Sequence, residues 1–350
     1  MPPPRGTPPR CGQALGALVT CATLAVAFSG PVGASGSPDS TTTTSTIPGT
    51  TTSTTPGTTT STVPGSTTTS TTLGTTSTTV RPSRPVARPP TPPRSSDCDR
   101  NPFASPAVRA FLASRVGSIT AGIYCPATGA TYLYRPGILQ ITASIVKIDI
   151  LATLLHEDQV DHGSLSPAVR EAATTMIEQS DNATAQMLWN DIGGFGLSTN
   201  WRGTGGYYAI SAFNALVGMR QSVTSWGWGT MLTTPADYLR LLRAIWLPGR
   251  LLDPAAAQLE RQLMENVIPA QRFGVPAGVP ADAIVGVKDG WLPDASDGWQ
   301  VNSAGYVHQG STTYLAVLMS AGDPTETYGI ATLSGLGDLL WRLESRAPRT

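Results

Sequence analysis

Lysine is nearly missing from this chain. Two occur in 350 residues, Lys147 and Lys288, while arginine supplies the remainder of the 23 basic positions. Charge as a whole is sparse, at 13 % of residues with a formal net charge of zero. No arginine-rich face with interleaved aromatics is present, so nucleic acid is not an expected partner. The three histidines, His156, His162 and His308, show no H-x-H or H-E-x-x-H spacing, which disfavours a metallo-hydrolase. The G-x-S-x-G elbow of Ser-His-Asp hydrolases is missing as well. With four cysteines and no C-x-x-C or Cys/His cluster, zinc ligation is not expected; no metal or cofactor is.

The first hundred residues have little to bury. Arg5 and Arg10 precede the uncharged run "GQALGALVTCATLAVAFSG" and the small residues "PVGA", which reads as an export signal over 1–34. Two alternatives stay open. The run of roughly 17 apolar residues is short for a membrane anchor that remains uncut. "LVTC" at Cys21 is a degenerate lipidation box, opposed by Thr20 and by the apolar residues that follow. From Ser40 to Val80 there is no charge, Thr and Ser dominate, and Pro-Gly recurs at 48–49, 56–57 and 64–65. Such a segment cannot bury enough to offset its ordering entropy. With the Pro-rich arm at 81–94, residues 35–97 are expected to form a disordered or extended stalk. A secreted or extracytoplasmic location follows, with tethering to the cell wall or membrane through that stalk, and a monomer is expected.

Residues 98–350 alternate apolar segments with turns and are long enough for a sizeable core. Cys98 and Cys125 are the only cysteines beyond the signal. An oxidising compartment favours a disulfide between them; two buried free thiols are the alternative. Helices are predicted over 105–116, 144–156, 166–179, 233–247 and 253–267, with a short one in "ATAQMLWNDIGG" and a last one in "YGIATLSGLGDLLWRLES". Two strands come early, "SITAGIYC" and "TYLYRPG", and three late, "AIVGVKDGW", "GWQVNSAGYV" and "TTYLAVLMS". This order predicts an α+β fold: one antiparallel five-stranded sheet flanked by helices, with an all-helical lobe inserted into it.

Ser144 and Lys147 share a helix face at i, i+3, in the apolar run "TASIVKIDIL". A lysine in low dielectric loses preference for its charged form, and neutral lysine can take the hydroxyl proton of a serine. Arginine cannot play that role. Taken alone the spacing is weak. It strengthens with Ser180-Asp181-Asn182, which falls between two helices, and with Lys288 opening "KDGW" at the end of a strand, where Gly290 allows close backbone approach.

Ser-x-x-Lys, Ser-Asp-Asn and a Lys-Thr-Gly-like triplet, in that order, resemble the motifs of the penicillin-recognising serine enzymes, the class A β-lactamases and the penicillin-binding D-Ala-D-Ala peptidases. "TTPADYLRLL" and the paired strands "WQVNSAGYV" and "YLAVLMS" add to the resemblance. It implies Ser144 as acyl-accepting nucleophile, Lys147 as its base and Ser180 as proton relay to the leaving nitrogen. Asn182 would hold the substrate's amide and Lys288 its carboxylate. The oxyanion hole would be the backbone N–H groups of Ser144 and Trp291, so Asp289, Gly290 and Trp291 belong to the substrate side. The implied substrate is a β-lactam or a cell-wall peptide of the D-Ala type.

Three departures qualify this. No acidic residue lies between Asp191 and Asp237, where class A enzymes carry the glutamate that positions the deacylating water, so poor deacylation is expected. Asp289 replaces the threonine of Lys-Thr-Gly, where a carboxylate repels a substrate carboxylate unless it pairs with Lys288 or turns away. Only 36 positions separate Ser144 from Ser180, roughly two dozen fewer than in class A enzymes, which trims the helical lobe. A wall-binding module that acylates without turnover is the alternative to an enzyme. Tryptophans 201, 226, 228, 291 and 299 fall on segments expected to border the cleft, either as a stacking platform for a sugar or peptide or as packing of a small lobe.

Overall fold

Three long strands near the C-terminus organise the sheet. Ile284–Asp294 (β5), Gly298–Gln309 (β6) and Thr312–Asp323 (β7) form a meander, with Gly298 and Gly310 at the turns in the left-handed region, φ 75° and 58°. Ser118–Cys125 (β1) pairs with β7 and with Ala130–Tyr134 (β2), which gives the antiparallel order β2-β1-β7-β6-β5. β1, β6 and β7 are buried along nearly their whole length, because helices cover both faces. Their continuous apolar runs follow from that double cover.

In this computed structural model the chain divides into two units, 1–84 and 85–350. The structure describes Cys98 and residues 100–192, 206–249 and 251–345, all in the second unit. The expected export signal and the whole of the expected stalk, 35–97, lie outside the described residues, as does Trp201. Among the described residues no helix is long and apolar enough to cross a membrane.

Pro106–Ala113 (α1) and Glu326–Glu344 (α8) pack on one side of the sheet. The stripe predicted on the last helix is there: Leu333, Leu336 and Leu340 are buried and Ile330 packs against the core at the edge. The inserted helical lobe begins with Val146–Val160 (α2), buried from Val146 to Glu157. It is wrapped by Pro167–Glu178 (α3), Asn182–Asp191 (α4), Gly206–Val217 (α5) and Pro254–Glu265 (α7). Pro235–Trp246 (α6) lies between lobe and sheet, against β1 and β7. α5 and a two-residue pairing, Gln140–Ile141 (β3) with Leu232–Thr233 (β4), are additions to the predicted elements.

Caps fix where these helices start. Asp181, Thr234, Asp253 and Thr325 each accept a hydrogen bond from the third residue of the helix that follows. Cys98 and Cys125 form a disulfide, their Cα atoms 5.9 Å apart, which ties the entry of the domain to the end of β1.

Candidate active site

Ser144 sits in a 3-10 turn, Ala143–Ile145, that leads into α2; the α-helix begins at Val146, two residues after the predicted start at Ser144. The turn is held from several sides. Thr142 N–H donates to Met231 O at 2.8 Å, beside the β3–β4 pairing. Tyr238 of α6 donates its hydroxyl to Ile145 O. Asn302 of β6 donates to both Ile141 O and Thr142 O at 2.9 Å. Gly290, paired with Asn302 across β5 and β6, lets the strand pass against the turn: a Cβ there would lie 2.5 Å from Ser144 N and 2.8 Å from Ile145 N. Ala143 has φ 46°, a strained conformation that this surrounding packing maintains next to Ser144.

Lys147, the second residue of buried α2 and one turn on from Ser144, reaches four acceptors. Its Nζ lies 3.2 Å from Ser144 Oγ, 2.5 Å from Ser180 O, 3.1 Å from Ser180 Oγ and 2.8 Å from Asn182 Oδ1. Ser180 O and Asn182 Oδ1 can only accept, whereas the two hydroxyls can also donate. A neutral amine has two N–H donors and one lone pair, so it satisfies both obligate acceptors and still takes a proton from a hydroxyl. Burial, and then the neighbouring Lys288 charge, lower the Lys147 pKa to about 7, against a smaller opposing pull from Asp181. Both amine states are therefore populated near neutrality.

Lys288 Nζ donates to the same Ser180 Oγ at 2.8 Å and to Asp289 O at 2.9 Å. The two lysines of the chain thus converge on one hydroxyl, on a residue that itself has φ 58°. Asp181, between the two site residues, turns away to cap α4 through Thr184 N at 2.7 Å. With Asp181 capping the helix, Ser180 and Asn182 on either side of it are left to meet Lys147.

"KDGW" was expected to close its strand; β5 continues past Trp291 to Asp294. Because side chains alternate along it, Asp289 faces away from Lys147 and Ser180. Its carboxylate is fully buried and accepts from Phe273 N at 2.5 Å, near Arg272 and Ser303. Of the two options open to that carboxylate, turning away is the one taken. Burial pushes it upward and pushes the Lys288 ammonium downward, each restrained by the other's charge.

The tryptophans separate into distinct roles. Trp228 lies with its ring centroid 5.0 Å from Lys147 Nζ, anchored by Nε1 donating to Gln186 Oε1 at 3.2 Å. Trp226, two residues earlier, stacks on Tyr207. Trp291 packs on Phe273 and Trp299 against the core. Asn302 and Tyr238 were not singled out in the sequence. Asn302 is the one asparagine in β6 and is flanked there by Val301 and Ser303, which was the available signal.

The model of the beta-lactamase enzyme family matches residues 164–343. The chain belongs to that family. The matched span contains Ser180, Asn182 and Lys288, while Ser144 and Lys147 precede it. The "Putative lipoprotein LppW" of Mycobacterium tuberculosis and of Mycobacterium bovis is 28 % identical over 199 residues, 55 % of this chain. The alignment spans 60 % of the length of those curated relatives. Among solved structures, a beta-lactamase from Chitinophaga pinensis is 19 % identical with a TM-score of 0.55, covering 67 % of this chain and 97 % of its own. One from Sphaerobacter thermophilus gives the same identity and TM-score over 69 % and 97 %. The protein titled PBP-A is 18 % identical, with a TM-score of 0.55 over 67 % and 93 %. These likenesses establish the beta-lactamase/transpeptidase-like fold.

Proposed function

We propose that this beta-lactamase-family domain is an exported serine hydrolase that forms an acyl-enzyme at Ser144 with β-lactams or D-Ala-type cell-wall peptides, and releases it slowly. The observation that carries the reading is the convergence of Lys147 and Lys288 on Ser180 Oγ, with Ser144 Oγ 3.2 Å from Lys147 Nζ. Neutral Lys147 takes the Ser144 proton as Oγ attacks the carbonyl carbon. Ser180 passes a proton from Lys147 to the departing nitrogen, and Lys288 holds that hydroxyl and provides positive charge for a substrate carboxylate. The Ser144 and Trp291 N–H groups receive the developing oxyanion; removal of one such donor typically costs about 3 to 4 kcal/mol of transition-state stabilisation.

Slow release is supported by what borders the lysine. Among the described residues no carboxylate is bonded to Ser144 or Lys147, and the Trp228 ring stands beside the amine. This favours, as a second reading, a wall-associated module that acylates without turnover. An extracytoplasmic location is supported by the N-terminal sequence and by the lipoprotein name of the mycobacterial relatives. The test is to incubate the protein with a fluorescent penicillin and with a chromogenic cephalosporin, beside Ser144→Ala. Label retained on the wild type alone, with little colour change, is the expected result. Identical behaviour of wild type and variant in both assays would overturn the assignment of Ser144.

A further inference from the structure

The loop "SWGWG", 225–229, places two indoles in different settings. Trp228 is turned inward to Lys147, while Trp226 is turned outward and is 67 % exposed. Trp226 is not a loose side chain. One face stacks on Tyr207 at 4.3 Å between ring centroids and 11° between planes. Tyr208 meets both rings edge-on, at 4.9 Å from Tyr207 and 5.9 Å from Trp226. With one face covered and two-thirds of the residue still exposed, the opposite face is open to solvent. The result is a flat aromatic surface whose orientation is held by its backing rings.

The chemistry around this surface selects its ligand. From Gln221 to Pro235 the chain carries no charge, and the hydroxyls nearest Trp226 in sequence, Ser225 and Thr230, are used within the loop. Ser225 and Thr230 hold the loop to itself, with Ser225 Oγ 2.6 Å from Gly227 O and 2.7 Å from Thr230 Oγ1. The loop itself carries no carboxylate that would add to the modest pull of an exposed indole face on a cation. That face suits a neutral ring with polarised C–H groups on one face and hydroxyls at its edge, because C–H hydrogens carry partial positive charge toward the negative face of the π system. Trp226 and Trp228 are two residues apart, about 7 Å along an extended chain. Trp226 thus lies within that reach of Trp228, whose ring centroid is 5.0 Å from Lys147 Nζ.

We propose that Trp226, backed by Tyr207 and Tyr208, is a stacking subsite for a neutral pyranose ring, so that this domain engages a glycan next to the group that reaches Ser144. The substrate class is then a glycan-linked peptide in preference to a free one. The proposal rests on the Ser144 reading for the reacting end of that substrate, and is independent of it for the stacking.

The test uses the full chain and chitotetraose as the probe, with a free peptide ending in D-Ala-D-Ala as the alternative occupant. Tryptophan fluorescence and calorimetric titration should show saturable sugar binding, weakened at least tenfold in Trp226→Ala and unchanged in Ser144→Ala. Trp226→Phe should recover part of the affinity, and melting temperatures should show that each variant is folded. No saturable binding to the wild type, or equal binding by folded Trp226→Ala, would overturn the proposal. Loss of peptide binding alone in Trp226→Ala would overturn it too. Sugar binding by a protein that fails to take penicillin label would retain the subsite and remove the Ser144 reading; labelling without sugar binding would do the reverse.

Discussion

If Lys147 is the base, acylation must follow its neutral fraction. With a pKa of about 7, roughly a tenth of the protein carries the neutral amine at pH 6 and roughly nine-tenths at pH 8. The acylation rate constant for a fluorescent penicillin should rise about tenfold over that interval and level off above it. An unperturbed lysine would instead give about a hundredfold rise with no plateau below pH 10. Lys288 supplies a separable part of the effect. Its ammonium and that of Lys147 both contact Ser180 Oγ and so are no more than about 6 Å apart. At an effective dielectric of roughly 20 to 40, like charges at that distance repel by about 1.4 to 2.8 kcal/mol, or one to two pH units. Burial is the larger cause, so the lower end applies. Lys288→Gln should move the inflection up by about one pH unit, whatever it does to the absolute rate. Stopped-flow labelling from pH 5 to 9 measures both. A flat profile, or an inflection that stays in place in Lys288→Gln, would refute the reasoning.

Three further outcomes are expected. Asp149, fully buried in α2, has its carboxyl pushed up to about 7 by burial, so the folded state keeps a proton that the unfolded state loses above about pH 4. Stability should fall as pH rises through that window, and Asp149→Asn should remove on the order of 3 kcal/mol of that decline between pH 4 and pH 8 in urea unfolding, against a slope equal to wild type if the idea is wrong. Asn302→Ala leaves Ile141 O and Thr142 O without their donor and should cost about 1 to 3 kcal/mol in stability and slow acylation at least tenfold; an unchanged rate would show that these bonds do not hold Ser144. Replacing Cys98 and Cys125 together by alanine should cost about 3 kcal/mol, read as a lowered melting temperature that no longer responds to reductant.

Much of the site could be read before the fold because its chemistry requires unusual residues in unusual places. A lysine in an apolar helix and a serine one turn before it are visible in one dimension. So are the period-two strands around Lys288 and the caps that start α6 and α7. What escaped depends on neighbours distant in sequence. The strands β3 and β4 have two residues each, too few for a period to show. Helix α5, "GYYAISAFNALV", is apolar on nearly every face and has no polar start, so its pattern does not separate it from a loop of large residues. Asn302 acquires its part only when β6 lies beside β5 and brings its amide under the turn. The direction of Asp289 was within reach, since alternation past Lys288 along the predicted strand assigns it to the opposite side.

Both lysines are completely buried, and there are no others in the chain. The folded surface therefore offers no lysine amine to an electrophile. For a protein proposed to handle strained acyl donors, this is a form of self-protection: collateral acylation of its own surface has almost nowhere to go. It also turns ordinary amine-reactive dyes into reporters of the cleft, since any lysine they label in the folded protein is one of the two that meet at Ser180.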